Sequence, residues 1–191
     1  MSAVPRPQFV TVADYLRGEE DAEVRHEYSG GRVYAMAGAK TRHNRVAGNA
    51  FASLHGKLRG QPCEPFNSHM KVRVLLPRET RFYYPDAMVV CDPDGPDSVF
   101  QQRPVVVIEV LSESTRRVDE GEKLEAYLQI PTLRVYLLAE SNEPSVTVYR
   151  RGDGGFAFDT FAGPDAVLPL PEIGAELALE ELYERVSGET D

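Results

Sequence analysis

Pro104-Val105-Val106-Val107-Ile108-Glu109-Val110-Leu111 is the stretch on which the reading of this chain turns. Its β-branched residues, apolar at nearly every position, predict a strand covered on both faces. Downstream, Asp119 to Gln129 has a helical pattern, with Leu124, Tyr127 and Leu128 on one stripe and Pro131 just past the end. Arg134 to Ala139 is then a second apolar strand. Strand, helix and strand in succession form a crossover unit, which sets its two strands side by side and parallel. The first of them is expected at the centre of a sheet.

On the N-terminal side of this unit, Ser68 to Leu76 and Tyr83 to Cys91 read as strands. Thr41 to Arg59 reads as a helix, because His43, Ala47, Ala50, Leu54 and Leu58 recur at helical spacing before the stop at Gly60 and Pro62. Thr11 to Gly18 is a short helix, and His26 to Met36 is a hairpin about Gly30-Gly31. After the crossover, Ser145 to Arg150 and Gly155 to Phe161 flank Gly152-Asp153-Gly154 as a second hairpin, and Leu177 to Val186 reads as a short acidic helix. Hairpins around a parallel unit predict an α/β fold of mixed α+β character: a mixed central sheet flanked by helices, with extra β-hairpins. At 191 residues, one domain spanning 1–191 is expected, with its core over about 10–150 and the C-terminal hairpin and acidic helix over about 145–191.

The composition, 42% hydrophobic and 27% charged, is that of a soluble globular protein rather than a disordered one. Cys63 and Cys91 are too few for a disulfide framework, and no Cys/His pair has zinc-finger spacing, so a reducing, cytoplasmic setting is expected. No segment resembles a signal peptide, and runs such as Val105 to Ile108 are far too short to span a membrane. The net charge of -9 is uneven: +3 over residues 1–60, -4 over 61–130 and -8 over 131–191. Nucleic acid needs local positive charge; this distribution permits a basic face built from the first half, although solvated surface charge is the commoner meaning of such asymmetry.

Two carboxylates interrupt apolar strands. Alternation places Asp86 on one face with Tyr84, Met88 and Val90, and Glu109 with Val105, Val107 and Leu111. A buried unpaired charge costs several kcal/mol, so each needs a proton, a cation or a metal. For one such acid an ion pair is as good a reading as a metal; two on adjacent strands, with a lysine following, favour Mg²⁺ or Mn²⁺, hard ions that prefer oxygen ligands.

These residues resemble a known family. Tyr83-Tyr84-Pro85-Asp86, Glu109-Val110-Leu111-Ser112-Glu113-Ser114-Thr115, Gly121-Glu122-Lys123-Leu124-Glu125-Ala126-Tyr127 and Val135-Tyr136-Leu137-Leu138 look like the Uma-type restriction-endonuclease branch of the PD-(D/E)XK nuclease superfamily. The resemblance covers most of residues 10 to 150. It implies a restriction-endonuclease-like core and hydrolysis of DNA phosphodiesters, with Asp86, Glu109 and Lys123 as catalytic residues and Asp86, Glu109 and Glu27 around the metal. It departs from the superfamily pattern at Leu111, where a lysine is expected; the following helix offers Lys123 instead, for which a solvated lysine is the bland alternative, as a surface strand residue is for Glu27.

His43, Ser112, Thr115, Tyr127, Arg42 and Arg116 are candidates for substrate contact or support of the site. Each also has a bland alternative: a satisfied histidine on a helix stripe, a pair of caps, an apolar-stripe tyrosine and exposed arginines. Two further readings stand beside the nuclease. A nuclease-fold module that binds nucleic acid or another protein without cutting is suggested by Leu111 and the acidic tail. An enzyme of smaller phosphate esters ranks last, since no glycine-rich phosphate loop is present. The apolar hairpin edge from Val33 to Met36 would suit pairing in a homodimer.

Overall fold

The computed structural model describes residues 9–36 and 38–186. Helix α1 (Val12–Glu20) starts at Thr11, whose hydroxyl accepts the Asp14 N–H and so satisfies one of the free donors of the first turn. Strands β1 (His26–Ser29) and β2 (Arg32–Ala35) turn on Gly30 and Gly31, both at positive φ where a side chain would be strained. Helix α2 (Thr41–Lys57) buries Val46, Ala50 and Leu54, one face at four-residue spacing. Then follow β3 (Glu64–Asn67), β4 (Lys71–Leu75), β5 (Thr80–Tyr83), β6 (Ala87–Val90), β7 (Phe100–Gln101) and β8 (Pro104–Leu111).

A π-helical turn, Val118–Lys123, runs on into α3 (Leu124–Tyr127). The rest comprises β9 (Val135–Glu140), β10 (Ser145–Gly152), β11 (Gly155–Ala162), β12 (Val167–Leu170), a 3₁₀ turn at Pro171–Ile173, β13 (Ala175–Ala178) and the single turn α4 (Leu179–Leu182).

Six strands form the mixed central sheet in the order β11-β10-β9-β8-β6-β3. β8 lies inside it, parallel to β9 with Glu109 level with Leu138, as the crossover pattern predicts. One face of β8 presents Val106, Ile108 and Val110 to Val46, Ala50 and Leu54 of α2. The other presents Val107 and Leu111 to Tyr127, Tyr136 and Leu138, together with Val72 and Tyr83 of a second sheet.

That second sheet, ordered β2-β1-β5-β4-β7, takes in the first hairpin and draws part of the run Tyr83 to Cys91 out of the central sheet. The cause is local. The run Tyr83 to Cys91 is two strands, because Pro85 has no N–H to donate to a ladder and interrupts the pairing. β5 ends at Tyr83 in the second sheet and β6 begins at Ala87 in the central one. Asp86 therefore sits in the joint between sheets, not within a continuous strand. α1 covers the far side of the second sheet, stacking Tyr15 on Tyr28 and Phe82 with ring centroids 5.0 and 5.3 Å apart.

Three other expectations are corrected. Ser68 to Leu76 is shortened to β4, because residues 68–70 form the turn that follows β3, a strand the pattern did not announce. Within Leu177 to Val186 only the single turn α4 is helical, since Leu177 is drawn into β13 opposite Leu168. Cys63 and Cys91, one step beyond the Glu64–Val90 pair of β3 and β6, are joined by a disulfide. β2 is the outer strand of its sheet, with Val33 and Tyr34 exposed.

Candidate functional site

β6 and β8 run antiparallel with Ala87 opposite Ile108, so the preceding residue, Asp86, stands level with Glu109. The joint around Pro85 frees Asp86 to turn toward β8, where its Oδ2 accepts the Val110 N–H at 2.8 Å. The same oxygen lies 3.3 Å from His43 Nε2 in the first turn of α2. Burial alone would lower the pKa of His43, but the hydrogen bond and charge of Asp86, with the Val110 backbone, raise it above the ordinary histidine value. His43 Nδ1 is buried with no hydrogen-bond partner among the described residues.

The second half of the site is built around one ammonium. Lys123 is 6% exposed, and its Nζ lies 3.0 Å from Glu27 Oε1 of β1, 3.2 Å from Glu109 Oε1 of β8 and 3.3 Å from Asp119 Oδ1, four residues earlier. The Tyr127 hydroxyl donates to Glu109 Oε1 at 2.9 Å, and Tyr136 donates to the Asp119 carbonyl at 3.0 Å. Glu27 is thus drawn in from the second sheet, where its Oε1 also accepts the Tyr84 N–H at 3.5 Å.

Charge in this pocket is unbalanced toward the negative. Burial pushes the Glu109 carboxyl well above its usual range; Lys123 pulls it down, while Asp119, Asp86 and Glu27 push it further up. Burial also works against the Lys123 charge, but Glu109, Glu27 and Asp119 outweigh it, so the side chain stays an ammonium. Tyr127 is held as a neutral phenol by burial and by Glu109, which keeps it a donor. A cluster with more buried carboxylate than buried cation is chemically suited to a further cation. Among the described residues no three His, Cys, Asp or Glu side chains converge at ligand spacing. A magnesium-like ion often takes only one or two protein carboxylates beside water and phosphate, and Asp86 and Glu109 are the pair that could supply them.

The remaining candidates lie around this cluster. Tyr127 is inside it. Ser112 and Thr115 bond to each other: the Ser112 N–H donates to Thr115 Oγ1 and the Thr115 N–H to Ser112 Oγ, capping the turn after β8. Arg116 is committed to Glu140 at 2.6 Å and Glu120 at 2.8 Å, an acid-bound position rather than a free rim. Arg42 is exposed on α2, the helix that carries His43.

Residues 12–180 match the Uma2 family, described as "Putative restriction endonuclease", and take in every residue of this cluster. The chain belongs to the Uma2 family. Two proteins of Synechocystis are similar to this member over nearly their whole lengths. "Uncharacterized protein slr1290" is 33% identical over 172 residues, 89% of each chain. "Uncharacterized protein sll1609" is 31% identical over 170 residues, 87% of this chain and 95% of that one. A crystal structure from Anabaena variabilis, described as "a putative nuclease belonging to DUF820", superposes with a TM-score of 0.73 over 93% of this chain and 99% of its own. At 17% identity that likeness shows a shared fold. No helix among the described residues of this Uma2 protein is long and apolar enough to cross a membrane.

Asp119 is the site residue that sequence reasoning missed. Its signal was present: an acid four residues before Lys123 is a helix-face neighbour. The Val110 N–H carries no side-chain signal at all. A further set, Glu122 with Ser29, Arg81 and Tyr83, ties the π turn to the second sheet at 3.0–3.2 Å.

Proposed function

We propose that this Uma2 member is an endonuclease that hydrolyses phosphodiester bonds in DNA with Mg²⁺ or Mn²⁺ as cofactor. The observation that carries the reading is the meeting of Asp86 and Glu109 across β6 and β8, with the Lys123 ammonium 3.2 Å from Glu109. The family and the nuclease fold support it. Lys123 takes the part of the lysine absent at Leu111, reaching the acidic strand from the following helix.

When bound, the ion would supply Lewis acidity toward a phosphodiester oxygen and lower the pKa of a water. Asp86 and Glu109 would hold it, with Glu27 beside them. The Val110 N–H and His43 orient Asp86, while Tyr127 orients Glu109 and leaves that carboxylate less able to swing away. Lys123 sets a fixed positive charge where the phosphate gains negative charge in the transition state, and its ammonium can hold the attacking water in line. Arg42 would lie toward the DNA backbone.

Incubation with single- and double-stranded DNA and either ion tests the reading. Cleavage in the wild type is expected to fall at least about 100-fold in Asp86→Asn and in Lys123→Gln; equal cleavage in Asp86→Asn would sink it. A second reading, a non-cutting nucleic-acid-binding or protein-interaction module, draws on Lys123 being already neutralised by Glu27, Glu109 and Asp119. Calorimetric titration with Mn²⁺ separates the two: binding lost in Glu109→Gln favours the enzyme, and no binding favours the module.

A further inference from the structure

The helix that delivers Lys123 is irregular where it matters. Val118–Lys123 is a π turn, and the two buried charged residues of the segment, Asp119 and Lys123, lie within it. A π turn uses one residue more than an α turn, so it shifts the phase of everything after it by about 100°. Within this geometry Lys123 Nζ lies 3.2 Å from Glu109 Oε1, and Tyr127, four residues on, donates to the same oxygen.

Asp119 is only 2% exposed and is fastened at its backbone. Its N–H donates to the Thr115 carbonyl at 3.0 Å and its carbonyl accepts the Tyr136 hydroxyl. Its Oδ1 is buried without a hydrogen bond among the described residues, although Lys123 Nζ is 3.3 Å away. An acid in that state is a poor contributor to stability, because desolvation is offset only by charge. Glu27 and Glu109 already provide Lys123 with more than one counter-charge. The third carboxylate differs in direction: it pulls from Lys123's own helix, against two that pull from the sheets.

We propose that Asp119 is a positioning residue: with the π turn it sets where the Lys123 ammonium stands beside Glu109, and it reaches the reaction only through Lys123. This rests on the nuclease reading of the site for its consequence, though not for its geometry.

The test uses the whole metal-free protein with ¹⁵N-labelled lysine. The wild type should give a protected Lys123 ammonium signal, identified by its disappearance in Lys123→Met. Asp119→Asn should broaden or remove it; Asp119→Glu, which keeps the charge but moves it by one methylene, should retain it at a shifted position. With DNA and Mn²⁺, Asp119→Asn should lose about 10- to 100-fold in rate at saturating DNA, the penalty for a displaced reacting group, with Mn²⁺ affinity unchanged. Asp119→Glu should recover part of that rate.

An Asp119→Asn protein whose Lys123 signal is unmoved overturns the proposal, as does a loss of Mn²⁺ affinity in step with rate, which would make Asp119 a ligand. Should Asp119→Asn fail to fold, an Asp119→Glu protein with the wild-type signal overturns it equally. Absence of cleavage in the wild type defeats the nuclease reading alone, since the lysine signal still decides whether Asp119 places Lys123.

Discussion

Lys57 and Lys123 each close an ion pair with a glutamate, in opposite surroundings. On the outside of α2, Lys57 Nζ is 2.7 Å from Glu181 Oε2 of α4, with the two side chains 30% and 49% exposed. Between the sheets, Lys123 Nζ is 3.2 Å from Glu109 Oε1, with side chains 8% and 4% exposed. The shorter contact is the weaker. Water screens the outer pair and replaces either partner when the other is lost, whereas the inner pair cannot be opened without stranding charge in a place water does not reach. Distance alone says little about an ion pair; the medium around it decides.

The largest effect expected from this contrast is that of Lys123→Met. It strands Glu27, Glu109 and Asp119 together and should cost about 3–5 kcal/mol in guanidinium unfolding at pH 7. The penalty should shrink toward pH 5. Glu109 already has a folded pKa above its unfolded one, and losing Lys123, which pulls it down, raises it further, so its protonation favours the folded state of the variant and that benefit is lost as pH rises. Equal penalties at the two pH values would break the contrast, by showing that the ammonium was not opposing these acids.

Next in size is Tyr127→Phe. The ring keeps its packing between Tyr83 and Tyr136, at centroid distances of 5.4 and 5.2 Å, and only the hydroxyl that donates to Glu109 is lost. A buried carboxylate deprived of one donor should cost about 1–3 kcal/mol in the same unfolding measurement. No loss would place that hydroxyl with the surface contacts.

The smallest effect is that of Lys57→Met, expected to cost less than about 1 kcal/mol and to fade with added salt. Hydrogen bonds from Lys57 and Ser53 hold the Glu181 carboxyl below its usual value. Its slight contribution is complete above about pH 4.3 and is lost as pH falls through the lowered value, so Lys57→Met should have a flatter acid limb in a plot of stability against pH. A salt-independent cost near that of Lys123→Met would erase the distinction between the two pairs.

Elements with a strong period are legible in the chain itself. The β-branched run of β8, the four-residue spacing of Val46, Ala50 and Leu54 in α2, and the turn glycines at 30–31 each act within a few residues of themselves. The joint at Pro85 is harder. Tyr84 and Asp86 both look like strand residues by alternation, and only the competition between two sheets for β5 and β6 makes a break there. β3 is illegible for a related reason: Glu64-Pro65-Phe66-Asn67 has little strand propensity, and its partner β6 supplies the order. Leu177 joins β13 because Leu168 lies opposite, overriding a helical pattern.

The chain alone marked two acids in apolar strands as costly to bury without a partner, while Lys123, at the edge of an apolar stripe, could also have been a solvated lysine. That follows from desolvation, which is a property of the side chain and its immediate neighbours. Which partner each found was decided only in three dimensions. Glu27, Glu109, Asp119 and Lys123 are scattered along the chain and meet because the second sheet, β8 and one π turn converge there. Lys123 reaches Glu109 from a segment wound as a π turn, a local geometry that no residue pattern in the chain announces.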